Sequence, residues 1–232
     1  MARMVQAEEH AARQNEILDA AQELVYRKGY AQMTIQDILE AIQISKGAFY
    51  HYFGSKQTLM EALVARMVAQ MMAMLQPIAD DPDLPALPKL EAIFRAAAGW
   101  KNARREFLVA LLRAWYADEN ALVRDKLSRA ALEQFNVLLQ PVIAQGMAEG
   151  AMRTDYPELA GAIAIGLLQG MGLEVGQLLM NWGDYPDALA RIERLVAAYT
   201  QAIERVLGTA NGAVQLIDPA LYPAWGETLT AR

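Results

Sequence analysis

The sequence predicts an all-α protein in which a small N-terminal group of three short helices is joined by a long helix to a larger helical body. Three observations carry this. Apolar residues recur at spacings of three and four from Arg13 to Leu207, no stretch shows convincing period-two alternation, and hydroxyl-bearing cap residues follow one another closely between Thr34 and Ser55. An apolar fraction of 54% in 232 residues is enough to bury a sizeable core.

Ile17, Ala20, Ala21, Leu24 and Val25 lie on one helical face between Arg13 and Lys28, and Gly29 follows as a C-cap. Thr34 precedes Ile35, Ile38, Leu39 and Ile42, with Asp37 three residues on, which is a capping-box variant opening a short helix. Ser45 caps a second short helix reaching Phe53. Ser55 caps a long one through Leu59, Leu63, Met67, Met71 and Leu75, which Pro77 is expected to stop. The segment DDPDLPALP, residues 80–88, reads as a connection that cannot continue a helix. Further helices are expected over 89–100, 104–117, 120–150, 157–182 and 187–207, with Pro141 kinking or splitting the third of these. Beyond Gly208 the periodicity fades. Leu216, Ile217, Leu221, Tyr222 and Trp225 are nonetheless too many large apolar groups for a solvated tail, so it is expected to pack on the body.

The chain has no Cys, and its only His are His10 and His51, so thiolate chemistry is excluded and zinc chemistry disfavoured. No Ser, His and acid constellation, phosphate-binding Gly loop or metal-ligand spacing is present, so neither an enzyme nor a cofactor is expected. The N-terminal MARMVQAEEHAARQ lacks the apolar core and small-residue cleavage site of a signal peptide, and a cytoplasmic location is expected. Residues 159–182 are long and apolar enough to raise the question of a membrane span. Gln169, Glu174 and Gln177 within them argue against it.

Two short helices separated by a brief turn have the form of a helix-turn-helix, whose second helix enters the major groove of DNA. Ile35, Ile38, Leu39, Ile44, Phe49 and Phe53 suit a small core, leaving Ser45, Lys46, Gly47, Ala48, Tyr50 and His51 facing outward. Ser45 and Lys46 can donate to base edges or phosphates, and Tyr50 and His51 to phosphates. Thr34 offers a hydroxyl and backbone amides, and Lys56 adds charge at another helix N-terminus. The formal net charge is -6, yet residues 27–56 carry four basic and two acidic residues, a local +2. Contact with double-stranded DNA would therefore have to be local.

At these residues the chain resembles the TetR family of transcriptional regulators. The shared pattern reads Gly29, Thr34, Ser45-Lys46-Gly47, Phe49-Tyr50-His51-Tyr52-Phe53 and Ser55-Lys56, and covers roughly residues 13–65. One departure is Ile42-Gln43, where the family usually has Ala-Gly. Gln43 would be strained if the turn needs positive φ, so either the local geometry differs or Gln43 itself touches DNA.

The resemblance implies a DNA-binding domain over residues 1–56, an effector-binding and dimerisation domain over 57–212, and a tail over 213–232. It further implies an operator-binding homodimer, with repression the commoner outcome in the family, released by a small-molecule effector. An apolar or aromatic effector is expected, cationic if Glu174 faces the cavity. Cavity candidates are Met67, Met71, Met74, Phe94, Trp100, Phe107, Trp115, Tyr116, Met147, Gln169 and Glu174. Dimer-seam candidates are Gly166, Gly170, Gly172 and Gly176, which permit close helix approach, with Ile192, Leu195, Val196, Tyr199 and Ile203. The same stripe would serve an internal core equally well, and Glu174 suits either pocket or seam. The competing reading is a helical interaction protein that keeps the helix-turn-helix shape without specific DNA binding.

Overall fold

The computed structural model describes residues 2–117 and 120–230. Met1, Ala231 and Arg232, the outermost residues of the expected N-terminal domain and tail, lie outside the described residues. Among the described residues there are α-helices and 3-10 turns and no strand.

The ends of the N-terminal helices are set by groups that supply missing backbone hydrogen bonds. Helix α1, Ala2–Lys28, ends at Gly29, which adopts φ 80 and donates its N–H to the Val25 carbonyl at 2.9 Å. The helix begins eleven residues before the expected start. The upstream sequence consists mainly of helix formers and contains neither Gly nor Pro to stop it. Helix α2, Ile35–Ile42, opens on the expected box: the Thr34 hydroxyl accepts from the Asp37 N–H and the Asp37 carboxylate accepts from the Thr34 N–H. Helix α3, Lys46–Tyr52, is capped by the Ser45 Oγ, which accepts from the Ala48 N–H at 3.1 Å. Helix α4, Lys56–Ala79, opens with Ser55 and Thr58 exchanging hydrogen bonds between backbone and hydroxyl.

Two prolines expected to break helices are accommodated. Pro77 lies in the last turn of α4, and the Asp80 N–H still reaches the Gln76 carbonyl at 2.9 Å across it. Pro141 sits inside helix α7, Ala121–Ala148, which is not split. Pro141 and Val137 are both exposed, so the carbonyl deprived of its intrahelical donor falls on the wet side of the helix. The start of helix α5, Ala86–Ala103, lies inside the expected connection. Pro88 stands in its first turn, where a missing N–H costs nothing, and Glu149 of α7 accepts the Ala86 N–H at 2.9 Å. The remaining helices are α6, Arg105–Tyr116, α8, Pro157–Met180, α9, Ala188–Leu207, and α10, Tyr222–Thr230. The last of these was not expected as a helix.

The chain forms two compact units, residues 1–67 with 106–127 and residues 68–105 with 128–232. The first has one core: Ile17, Ala21 and Val25 of α1 meet Ile38 of α2, Phe49 and Phe53 at α3, Leu59 and Leu63 of α4, and Phe107 and Leu111 of α6. Arg66 ties α4 to α1 by donating to Asp19 at 2.7 Å and Gln22 at 2.9 Å. In the second unit α8 and α9 pack against each other. Gly208 follows α9 with φ 62, and a Cβ there would lie 1.7 Å from the Arg153 carbonyl oxygen. Buried Glu204 accepts the Val214 N–H at 3.0 Å, which fastens the tail, and Leu216 and Tyr222 are buried beyond it.

By length and composition α4 and α8 could each cross a membrane. In α4, however, Leu59, Met60 and Leu63 are spent on the first unit's core.

Candidate nucleic-acid interface

Helix α3 is short because its signals are close together. Ser45 starts it, and the Phe53 N–H closes it on the Phe49 carbonyl at 2.9 Å. Phe49, fully buried, and Phe53 are the feet by which it stands on the core, so Ser45, Lys46, Gly47, Tyr50 and His51 face outward, with Ala48 partly covered. Truncating Phe49 to Ala would cost about 3–5 kcal/mol by the usual scale for a buried aromatic. That cost would fall on the orientation of every outward-facing residue of the helix.

Gly47 is not demanded by internal packing, because a Cβ there would meet only the Ser45 Oγ at 3.9 Å. Its smallness favours close approach from outside. Tyr50 is 44% exposed, and the Lys46 ammonium stands 6.0 Å from its ring centroid. No acidic residue occurs between Gln43 and Lys56. In α2, Asp37 is paired with Lys28, and this ion pair with the Thr34 hydrogen bonds holds the carboxyl well below the usual carboxylate range. The outward surface is thus positive without an unpaired carboxylate from Asp37.

The turn keeps the backbone that its sequence seemed to oppose. Gln43 has φ 52 and ψ 45, the left-handed conformation, and it is the only non-Gly residue with positive φ among the described residues. Of the two alternatives for this turn, Gln43 itself adopts the left-handed conformation and bears the strain, with its side chain exposed and open to DNA.

The other expected site residues scatter. The Lys56 ammonium donates to the Ala31 carbonyl at 3.2 Å and lies 4.5 Å from the Tyr30 ring centroid, so it braces the turn after α1. Phe107, expected in an effector cavity, is buried in the N-terminal unit's core with its ring 5.1 Å from that of Tyr26, and Met67 packs against the same core. Trp115 and Tyr116 belong to that unit too, where Arg124 donates to the Trp115 carbonyl and stands over the Tyr116 ring. Met71, Met74, Phe94, Trp100 and Met147 belong to the C-terminal unit. Gln169 and Glu174 are exposed on α8, and Glu174 accepts a 2.9 Å hydrogen bond from Tyr199 of α9. Of the seam candidates, Ile192, Val196, Ile203 and Gly176 are buried within the chain. Gly166 and Gly172 are exposed, Leu195 is half-buried, and Gly170 leaves room for the Tyr199 hydroxyl, 3.0 Å from where its Cβ would stand.

Sequence reasoning missed His10. Its ring lies 4.7 Å from Tyr52 and 5.8 Å from His51, next to α3. No local pattern could have shown this, because the contact joins two helices.

A capped helix-turn-helix with a small, cationic, outward-facing second helix has the form of a DNA-binding module. Residues 17–63 match the bacterial regulatory proteins of the tetR family. The match covers the helix-turn-helix segment, which is of the TetR type. The chain is similar to the HTH-type transcriptional repressor DhaR of Mycobacterium sp. (strain GP1), with 23% identity over 155 residues, which is 66% of this chain and 77% of that one. Similarity to the HTH-type transcriptional repressor KstR2 of Mycolicibacterium smegmatis is 26% over 149 residues, 62% of this chain and 70% of the other. A TetR-family regulator from Pectobacterium atrosepticum shares the fold with a TM-score of 0.60 and 21% identity over 86% of this chain and 96% of its own.

Proposed function

We propose that this regulator is a homodimeric repressor acting in the cytoplasm, which reads two operator half-sites through α3 and is released by a small hydrophobic or aromatic effector. The observation that supports the DNA contact best is the outward surface of α3, where Ser45, Lys46, Gly47, Ala48, Tyr50 and His51, with no acidic residue among them, stand on two buried Phe feet. Thr34 and Gln43 flank it at the start and end of α2. Repression is supported by the similarity to the repressors DhaR and KstR2.

Dimerisation is supported by α8. Leu159, Ile163 and Leu173 are each nearly half exposed, and with exposed Gly166 they repeat at helical spacing as an apolar stripe. Tyr199 of α9 lies half-buried against α8 at Gly170 and Glu174, and Leu195 is also half-buried. The effector reading rests on the aromatic and Met-rich composition of α4 and α5, which suits an adaptable apolar site. The test is selection of bound fragments from genomic DNA. The expected result is an inverted repeat with half-sites about one helical turn, or a multiple of it, apart. Recovery of no enriched sequence, or of an unrepeated site bound by a monomer, contradicts it.

A further inference from the structure

Histidines 10 and 51 are the only two in the chain, they lie 41 residues apart, and the fold places them side by side. His10 is on α1, upstream of the 17–63 segment shared with the family. Its ring tilts over Tyr52 at 4.7 Å and meets His51 edge-on at 5.8 Å, while His51 and Tyr52 are themselves T-shaped at 5.1 Å. Both histidines are exposed, and neither has a hydrogen-bond partner among the described residues. The charged and titratable groups around them are Arg13 of α1, which is held by Glu16, and Tyr52 of α3, whose oxygen is within electrostatic reach of Arg13. Glu9 adjoins His10 on α1. Apart from the glutamates on α1, nothing acidic approaches from α3 or its flanking turns.

We propose that His10 and His51 form a paired backbone-binding site, with His10 an additional operator contact outside the helix-turn-helix. This rests on the reading of α3 as the DNA-facing helix. His51 lies on that helix's outward surface, so a phosphate reaching it meets His10 at the same place. The Tyr52 ring fixes the position of the second imidazole through stacking rather than through a hydrogen bond, so its nitrogens stay free to donate. An imidazole is the side chain whose ordinary titration spans pH 5 to 8, and a neighbouring phosphate favours the imidazolium. The DNA complex therefore binds more protons than the free components, and affinity rises as pH falls.

The test uses the full chain and an operator fragment obtained by selection. Binding is measured by anisotropy at pH 6 and pH 8 at matched salt, for wild type, His10→Gln, His51→Gln, the double variant and Lys46→Ala. Proton uptake is measured by titration calorimetry in two buffers of different ionisation enthalpy. Wild type is expected to bind roughly tenfold more tightly at pH 6 than at pH 8 with net proton uptake. Each single histidine variant should lose part of that ratio and the double variant most of it, while Lys46→Ala weakens binding at both pH values and keeps the ratio. A double variant with the wild-type pH ratio and proton uptake overturns the proposal and leaves the reading of α3 intact. Absence of wild-type binding at both pH values overturns the two together.

Discussion

The two units finish their helices by different chemistry. In the N-terminal unit each short helix carries its own start signal: Thr34 with Asp37, Ser45 with Ala48, Ser55 with Thr58, all within three residues along the chain. In the C-terminal unit α5, α8 and α9 have no side-chain hydrogen bond from their N-cap residues. Groups distant in the chain serve two of these helix ends, with Glu149 accepting from Ala86 at the start of α5 and Arg153 donating to the Leu207 carbonyl at the end of α9. A unit that must present a few side chains at fixed angles is built from locally specified pieces. The other unit draws its order from contacts far apart in sequence, so loss of one distant contact should be felt more strongly there.

Positive φ occurs in both units and gives the sharpest contrast. Gly208 has φ 62 with the Arg153 carbonyl oxygen only 1.7 Å from where a Cβ would stand, whereas Gln43 has φ 52 with an exposed side chain. Gly208→Val is expected to destabilise the chain by about 3 kcal/mol or more, because the strained backbone and the blocked Cβ both oppose it. Denaturant unfolding should show this as a lower midpoint. A midpoint shift equivalent to less than about 1 kcal/mol would mean that the α9 end and the 153 segment can part freely.

Gln43→Gly should have the opposite sign. Relief of the left-handed strain is expected to raise stability by about 1 kcal/mol. The same variant separates two roles for Gln43: unchanged operator affinity assigns it to the turn alone, and a loss of tenfold or more assigns it to the DNA.

The cap of α2 gives the smallest effects. Thr34→Ala is expected to cost about 1 kcal/mol, the usual value for losing a hydroxyl N-cap. Asp37 adds a pH signature whose sign follows from its lowered carboxyl, held down first by Lys28 and then by Thr34. A carboxylate whose folded value is depressed contributes stability above its ordinary value and loses it as pH falls toward the depressed one. The difference in melting temperature between wild type and Asp37→Asn should therefore be full at pH 6 and shrink below about pH 4. A difference that stays constant from pH 6 to pH 3 would remove the ion pair from the account.

The same contrast explains what could be read from the sequence. Gly29, Thr34, Asp37, Ser45 and Ser55 act on their own neighbourhood, so the boundaries of α2 and α3 and the outward set on α3 were legible. Helix α6 joins the N-terminal core through Phe107 and Leu111, which lie more than forty residues beyond α4's first turns, and no local period announces that partnership. Phe107 therefore looked like cavity lining. Ile192, Val196 and Ile203 show an apolar stripe of the right period, but a stripe does not say whether it meets its own chain or a copy, and here it meets its own. Helix α10 escaped because its sequence, with Pro223 and Gly226, has weak periodicity. Gly226 lies against the Trp182 ring, where a Cβ would come within 2.9 Å, and the order there depends on that long-range packing.

The central claim is that α3 carries the operator contact. It is tested most directly by anisotropy titration of a selected operator fragment with wild type, Lys46→Ala and Tyr50→Ala at matched salt, alongside sedimentation of each protein. Both variants are predicted to bind at least about tenfold more weakly while sedimenting as wild type does, since each removes an outward contact and neither touches the core. Wild-type affinity in both would contradict the account and place the DNA-reading surface elsewhere on the chain.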